Sequence, residues 1–307
     1  MKICVIGCGA VGSLFAAHLA KAGEAEVWAY DLWKEHTDAI RKNGLRLTGA
    51  EEFTARLNPT SDPKELPRCD YGIVATKAIH TRNAISQAAH IFDTNSAVCS
   101  VQNGMGNEEI IAEHVRYVIR GTTFPAGHPI APGHVGYDIK GDTWIGPFEP
   151  TNTPMAKVEE LAGLITRSGM NTIALKDARG AQWTKLIFNA ATNPVGALTL
   201  LHHGAATRFP ATGQLFNELI VEGETVAKKL GIELHGDPRQ LVQKGANAPG
   251  KHRASMLQDV MAKRQTEVDF MNGAIVSQGE KAGVPTPLNK ALWELIKGLE
   301  HSWKDPD

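Results

Sequence analysis

Lys2-Ile3-Cys4-Val5-Ile6-Gly7-Cys8-Gly9-Ala10-Val11-Gly12 is an apolar run that ends on three glycines spaced GxGxxG. Residues 3–6 read as a buried parallel strand, and the pattern from Ser13 to Ala22 reads as a helix. Strand, glycine turn and helix in that order form a dinucleotide grip. Gly7 lets the chain leave the strand sharply, Gly9 leaves room for a pyrophosphate to approach bare backbone, and Gly12 lets the helix pack close to the strand. The helix N-terminus then offers free N–H groups and the positive end of its dipole to the anion. Gly7, Cys8, Gly9, Ala10, Val11 and Gly12 are therefore the candidate cofactor loop.

The next apolar run, Glu26–Tyr30, closes on Asp31, 19 residues after Gly12. A carboxylate there accepts hydrogen bonds from the adenosine ribose hydroxyls and repels a 2′-phosphate. No arginine occurs between Gly12 and Arg41, which leaves only Lys34 to neutralise such a phosphate in that loop. The pattern favours NAD(H) over NADP(H). A solvated acid at a strand end is the bland alternative, and it weakens once the glycines precede it.

Alternation continues outward from this core. Strand-like runs at Lys2–Ile6, Glu26–Tyr30, 71–76, 97–101 and 118–121 are separated by helical stretches near 10–22, 33–43, 80–92 and 107–115, which predicts a doubly wound parallel sheet. His134-Val135-Gly136-Tyr137 and Asp142-Thr143-Trp144-Ile145 read as short antiparallel strands that extend its edge. A helix near 154–168 and a strand near 171–175 complete a Rossmann domain over residues 1–175. Strand signals then almost vanish. Helical patterns at 179–200, 208–230, 237–246, 253–282 and 287–300, with a loop at 245–250 and a frayed tail from Lys304, predict an all-α second domain over residues 176–307. Ligands in such a fold sit beyond the carboxyl ends of the strands, where a second domain can close over them.

Bulk composition narrows the classes. The 307 residues carry 32 Lys plus Arg against 33 Asp plus Glu, so no basic field exists to hold nucleic acid or an anionic membrane. Cys4, Cys8, Cys69 and Cys99 show no metal-type pairing and read as buried thiols. Twelve histidines, including His128, His134, His202 and His203, show no dense ligand spacing, so no metal is expected. Gly7, Gly9, Gly12, Ser13 and His18 interrupt the apolar N-terminal stretch, and no charged segment precedes it. The strand that begins almost at Met1 points to the cytoplasm. A small-molecule substrate fits this balance.

Chemistry gathers at a few polar positions. Lys77 follows one strand and Asn103 another, both at the end where a nicotinamide would lie; taken alone, each is better read as a solvated lysine or an Asn-Gly turn. Lys185, Asn189 and Asn193 recur every fourth residue in an otherwise apolar helix and share one narrow stripe. Two asparagines are mediocre helix formers, and burying three such groups without partners is costly. The stripe asks for a polar ligand. Ser255 and Asp259 share a helix face, and Glu267 follows, but Ser255 reads equally well as an N-cap.

These residues resemble the ketopantoate reductase (2-dehydropantoate 2-reductase) family over nearly the whole chain. The likeness rests on the N-terminal GxGxxG, "TKA", "QNGMGNEE", "GTT" before Ala126, "KLIFNAATNPVGALT", "SMLQD" and "TEVDFMNG", in that order. It implies a Rossmann domain plus a helical domain and reduction of a 2-oxo acid by hydride transfer, in pantothenate biosynthesis, with a homodimer through the helical domain. By the same resemblance Lys185 is the general acid, and Asn189, Asn193 and Ser255 bind substrate carboxylate and hydroxyl. Asn103 touches both cofactor and substrate, Glu267 hydrogen-bonds both and pairs with Lys185, and Lys77 and Ala126 lie beside the nicotinamide. The family more often uses NADPH with a basic residue after the second strand, whereas this chain has Asp31. "HVGYDIKGDTWIG" and "LLHHGAATR" also depart from the family pattern. A relative acting with NAD on another 2-oxo or 2-hydroxy acid therefore fits too. An opine-type dehydrogenase would need an amine co-substrate, and a non-catalytic NAD(H) sensor would have no use for Lys185 with Glu267.

Overall fold

The computed structural model describes residues 1–247 and 253–304. Residues 248–250 of the loop expected at 245–250, and the tail beyond Lys304, lie outside the described residues, while 245–247 end a helix. The chain divides into two compact units, Met1–Gln102 with Asn107–Ala178, and Asn103–Gly106 with the described residues from Arg179 onward. The division falls after Ala178, slightly beyond Leu175, and Asn103–Gly106 packs with the second unit rather than the first.

The first unit runs β1 (Lys2–Ile6), α1 (Ala10–Ala22), β2 (Glu26–Tyr30), α2 (Lys34–Asn43), β3 (Leu45–Gly49), β4 (Phe53–Ala55), β5 (Asn58–Thr60), β6 (Tyr71–Val74), α3 (Thr81–Ala88), β7 (Ala97–Ser100) and α4 (Asn107–Ala112), and then β8 (Tyr117–Thr123), β9 (Ala126–Ala131), β10 (His134–Ile139), β11 (Thr143–Pro147), α5 (Met155–Arg167) and β12 (Thr172–Ala174). Its main sheet has the order β12-β11-β8-β7-β6-β1-β2-β5. The six strands from β5 to β8 are parallel, β11 runs antiparallel to β8, and β12 is parallel to β11. Strand order reverses between β1 and β6, which opens a crevice at their carboxyl ends. Ile3 and Val5 join one apolar core while Cys4 and Ile6 join another, so β1 is buried on both faces.

A second sheet, β4-β3-β10-β9, departs from the sequence expectation. β10 pairs parallel with β3 and antiparallel with β9, so of the two strands expected at the main edge only β11 is there. The cause is burial. Leu45 and Leu47 of β3 and Val135 and Tyr137 of β10 enter the core that holds Leu14 and Phe15 of α1, and a place at the main edge would not have covered that side of α1.

Among its described residues the second unit is helical: α6 (Arg179–Thr199), α7 (His203–Arg208), α8 (Pro210–Lys229), α9 (Pro238–Asn247), α10 (Ser255–Met261), a 3₁₀ turn at Val268–Phe270, α11 (Asn272–Ala282) and α12 (Pro287–Ser302). The single helix expected over 253–282 is broken. Lys263 takes a positive φ of 50°, which ends α10, and the chain reaches α11 through the 3₁₀ turn. α6 packs against α8, α9, α10 and α12 and is buried on nearly every side. Its hydroxyls are satisfied within the helix: Thr184, Thr192 and Thr199 donate to the carbonyls of Gly180, Phe188 and Val195 at 2.8, 2.8 and 2.7 Å.

Candidate active site

The glycine loop in the first unit has three different local reasons for its glycines. Gly7 has a φ of 88° and lies against Thr76, where a side chain would collide with backbone. A Cβ on Gly12 would run into the carbonyl oxygen of Gly7. At Gly9, the N-cap of α1, a Cβ would meet nothing within 4 Å. That open space at a helix N-terminus, lined by Cys8, Ala10 and Val11 backbone, suits a pyrophosphate. Ser13 Oγ donates to the Cys8 carbonyl at 2.8 Å and braces the loop from inside α1.

Asp31 stands just after β2. Its Oδ2 accepts from the Cys8 N–H at 2.6 Å and its Oδ1 from the Trp33 N–H at 2.8 Å, so one carboxylate ties the glycine loop to the start of α2. Lys77 lies beyond β6 as the N-cap of a 3₁₀ turn at Ala78–His80, and Ala126 opens β9 of the second sheet. Gln102 Nε2, beyond β7, donates to Thr76 O at 2.9 Å and Thr81 Oγ1 at 2.7 Å, fixing the strand ends beside this loop. The four thiols are buried, and burial raises the pKa of each, so none is poised as a thiolate.

The second unit brings together the rest. α6 carries Lys185, Asn189 and Asn193 on one stripe, in a helix that is central rather than superficial. Asn189 is 6 % exposed, and its carboxamide makes no hydrogen bond to any described residue. Asn193 is equally buried and reaches only the weakly accepting Met271 Sδ at 3.6 Å. Neither carboxamide is among the fully enclosed polar atoms without a partner, so both keep accessible donors and acceptors. Lys185 is half-buried, and desolvation lowers its pKa to about 8 while the Glu267 carboxylate pulls it upward.

Glu267, 7 % exposed, precedes the 3₁₀ turn that follows α10. The Asn103 segment docks on that same turn: the Met105 N–H donates to the Phe270 carbonyl at 2.9 Å, and Gln182 Nε2 of α6 donates to the Gly104 carbonyl at 3.3 Å. Gly104, at a φ of 83°, lies so close to Phe270 that a side chain would strike its carbonyl. Asn103, Lys185 and Glu267 thus sit on mutually packed elements of one unit. Ser255 opens α10 with an exposed hydroxyl that bonds no described residue; the cap is Ala254, so the serine is not the helix cap that its sequence also allowed. Asp259 on the same face is buried and accepts from Arg264 at 3.1 Å.

Several polar supports went unread in the sequence. Thr266 and Glu300 bind each other next to Glu267, with Asp269, Trp293 and Lys297 alongside. Asn272 donates to the Ala190 carbonyl and to Asn289, which donates on to Glu222. Pro194 inside α6 was the available signal, because a proline there leaves one carbonyl seeking a donor. Among the described residues no group of three or more His, Cys, Asp or Glu side chains could hold a metal ion, and no helix is long and apolar enough to cross a membrane.

Comparison with known proteins adds to this geometry. Residues 3–150 match the model of ketopantoate reductase PanE/ApbA, and residues 177–300 match the model of its C-terminal domain. The chain is 32 % identical over 299 residues to a 2-dehydropantoate 2-reductase of Archaeoglobus fulgidus, covering 97 % of this chain and 98 % of that one. It is 34 % identical over 304 residues to one from Pyrococcus abyssi, covering 98 % of each. Among solved structures, a PanE/ApbA family ketopantoate reductase from Ralstonia eutropha JMP134 superimposes with a TM-score of 0.89 at 28 % identity, over 99 % of this chain and all of that one. D-mandelate dehydrogenase in a ternary structure with NADH and anilino(oxo)acetate gives 0.90 at 27 % identity, again over 99 % of this chain and all of that one.

Proposed function

The chain belongs to the ketopantoate reductase PanE/ApbA family, and from that premise we propose that it reduces the C2 carbonyl of 2-dehydropantoate to the alcohol of pantoate with a nicotinamide cofactor. The observation that carries the reading is the α6 stripe, a half-buried lysine held near neutral pKa beside two buried carboxamides that lack full protein partners. Lys185 donates a proton to the C2 oxygen, and its ammonium stabilises charge developing there. Glu267 favours the charged lysine and so keeps the acid loaded. Asn189 and Asn193, with the Ser255 hydroxyl, bind the substrate's carboxylate and hydroxyl. Asn103 serves both substrate and cofactor.

The glycine loop fits a dinucleotide, because Gly9 leaves open space at the N-terminus of α1. Bound there, a reduced nicotinamide supplies the hydride that this reduction needs. Lys77 and Ala126 serve its nicotinamide end in this reading. NAD(H) is preferred over NADP(H), since Asp31 stands where a 2′-phosphate would meet a carboxylate. The D-mandelate dehydrogenase of similar structure was solved with NADH, which supports that choice and favours a second reading, in which another 2-oxo or 2-hydroxy acid is the substrate. Homodimer formation through the helical unit, carried by the family resemblance, and a cytoplasmic location complete the proposal.

The test is the initial rate of 2-dehydropantoate reduction with NADH and with NADPH, for the natural chain and Lys185→Ala. Turnover with NADH that falls about 10²–10⁴-fold in the variant, with NADH binding retained, is expected. Unchanged turnover in Lys185→Ala would sink the assigned mechanism. No turnover of the natural chain, on protein that binds NADH, would transfer the reading to another 2-oxo acid.

A further inference from the structure

The backbone around Glu267 is held from α12. Glu300, 7 % exposed, accepts at Oε1 from both the N–H and the hydroxyl of Thr266, each at 2.7 Å. Thr266 Oγ1 in turn accepts from the Val268 N–H at 3.2 Å. On the other side of Glu267, Asp269 accepts from Trp293 Nε1 at 2.6 Å and from Lys297 Nζ at 2.8 Å. Lys297 also approaches Glu300 at 3.6 Å. Trp293, Lys297 and Glu300 lie four and three residues apart, so they form one face of α12. That face grips the residues before and after Glu267.

We propose that Glu300 is a positioning residue for Glu267: by fixing Thr266 it sets the place of the neighbouring carboxylate relative to Lys185. The inference rests on the roles given above to Lys185 and Glu267. The placement of Glu300 is otherwise hard to justify. Burying a carboxylate is expensive, and the last turn of a helix is the wrong end of its dipole for a negative charge. A neutral acceptor would satisfy Thr266 at lower cost. What the charge adds is strength and direction, since charge-assisted bonds to an N–H and an O–H of one residue leave that residue little freedom. A fixed Thr266 matters because its neighbour is itself a buried carboxylate whose field acts on Lys185.

Glu300→Ala, Glu300→Gln and Thr266→Val, with Lys185→Ala as reference, test this in steady-state reduction of 2-dehydropantoate, with folding followed by circular dichroism. Glu300→Ala is expected to lose about 10–100-fold in kcat, the scale of a misplaced catalytic group, with KM for the reduced cofactor unchanged. The alkaline limb of kcat should move to lower pH, because a displaced Glu267 no longer supports the Lys185 ammonium. Glu300→Gln keeps an acceptor for Thr266 but loses the charge, so it should recover only part of the loss and fall between Glu300→Ala and the natural chain; full recovery would mean that the charge is not what positions Thr266. A Glu300→Ala protein with a lower unfolding temperature but natural kcat and an unmoved limb would show a structural role only and overturn the proposal. Should Glu300→Ala not fold, Thr266→Val decides in its place: reduced kcat with a moved limb supports the proposal, and natural values overturn it. Natural turnover in Lys185→Ala would instead overturn the underlying roles, an outcome separable from an inert Glu300.

Discussion

Asn272 Nδ2 donates a hydrogen bond of 2.9 Å to the carbonyl of Ala190, one turn before Pro194. Proline has no N–H, so that carbonyl loses its helical donor, and a side chain from α11 supplies the replacement. The accepting carbonyl lies between Asn189 and Asn193. A helix that would otherwise lack a donor at its polar stripe is pinned there, and the second N–H of Asn272 goes to Asn289 Oδ1 at 3.0 Å.

Asn272→Leu should therefore destabilise the protein by about 1–3 kcal/mol, the cost of leaving a buried acceptor unsatisfied. Pro194→Ala restores a backbone donor to Ala190, so the same substitution should cost less in that background. Urea unfolding midpoints of the four proteins in the cycle measure the coupling. Equal costs in both backgrounds would mean that the Ala190 bond is not what Asn272 contributes.

The pH dependence of turnover has a definite sign. In the proposed function Lys185 donates only as the ammonium, and its pKa is lowered to about 8 by desolvation against the upward pull of Glu267. Reduction should be constant on the acid side of this value and fall as pH rises through it, while oxidation of the alcohol, which needs the free amine, should rise over the same interval. Glu267→Gln removes the upward pull and should move both limbs to lower pH. Profiles of kcat in the two directions check the pair.

The sequence made some of this legible and hid the rest for physical reasons. The β1 loop, Asp31 and the four-residue spacing in α6 are local patterns, and local geometry turns each directly into a place on a strand end or helix face. β3 and β10 were not legible as partners, because residues 45–49 and 134–139 are far apart in the chain and pair only to cover α1. The break in the helix expected over 253–282 depends on a positive φ at Lys263 and on anchors from α12, neither of which leaves a periodic trace. Asn103 was expected with the strands it follows and packs instead with Phe270 and Gln182 of the second unit through its neighbours.

Asp31 holds the Cys8 and Trp33 N–H groups and, in the proposed function, also discriminates between the cofactors; substitutions can separate the two tasks. Asp31→Asn keeps an acceptor oxygen but removes the charge, so affinity for NADH should fall about tenfold or more and the margin over NADPH should narrow. Asp31→Ala also frees the N–H groups of Cys8 and Trp33, and the unfolding temperature should drop as well. Cofactor titration and thermal unfolding of both variants distinguish the tasks. A natural NADH-to-NADPH ratio in Asp31→Asn would count against the carboxylate as the discriminator.

The three loop glycines should fail in different ways when given a methyl group. Gly9→Ala places its Cβ in open space, and its φ of −64° suits any residue, so the protein should fold with natural stability and lose dinucleotide binding. Gly12→Ala drives the methyl into the Gly7 carbonyl and must separate α1 from β1, which should cost stability first and binding as a result. Gly7→Ala faces both a φ of 88° and backbone contact with Thr76, and should be the least stable of the three. Melting temperatures set beside NADH dissociation constants give the ordering. Intact NADH binding in a fully folded Gly9→Ala would mean that the space beside Gly9 is not where the pyrophosphate lies.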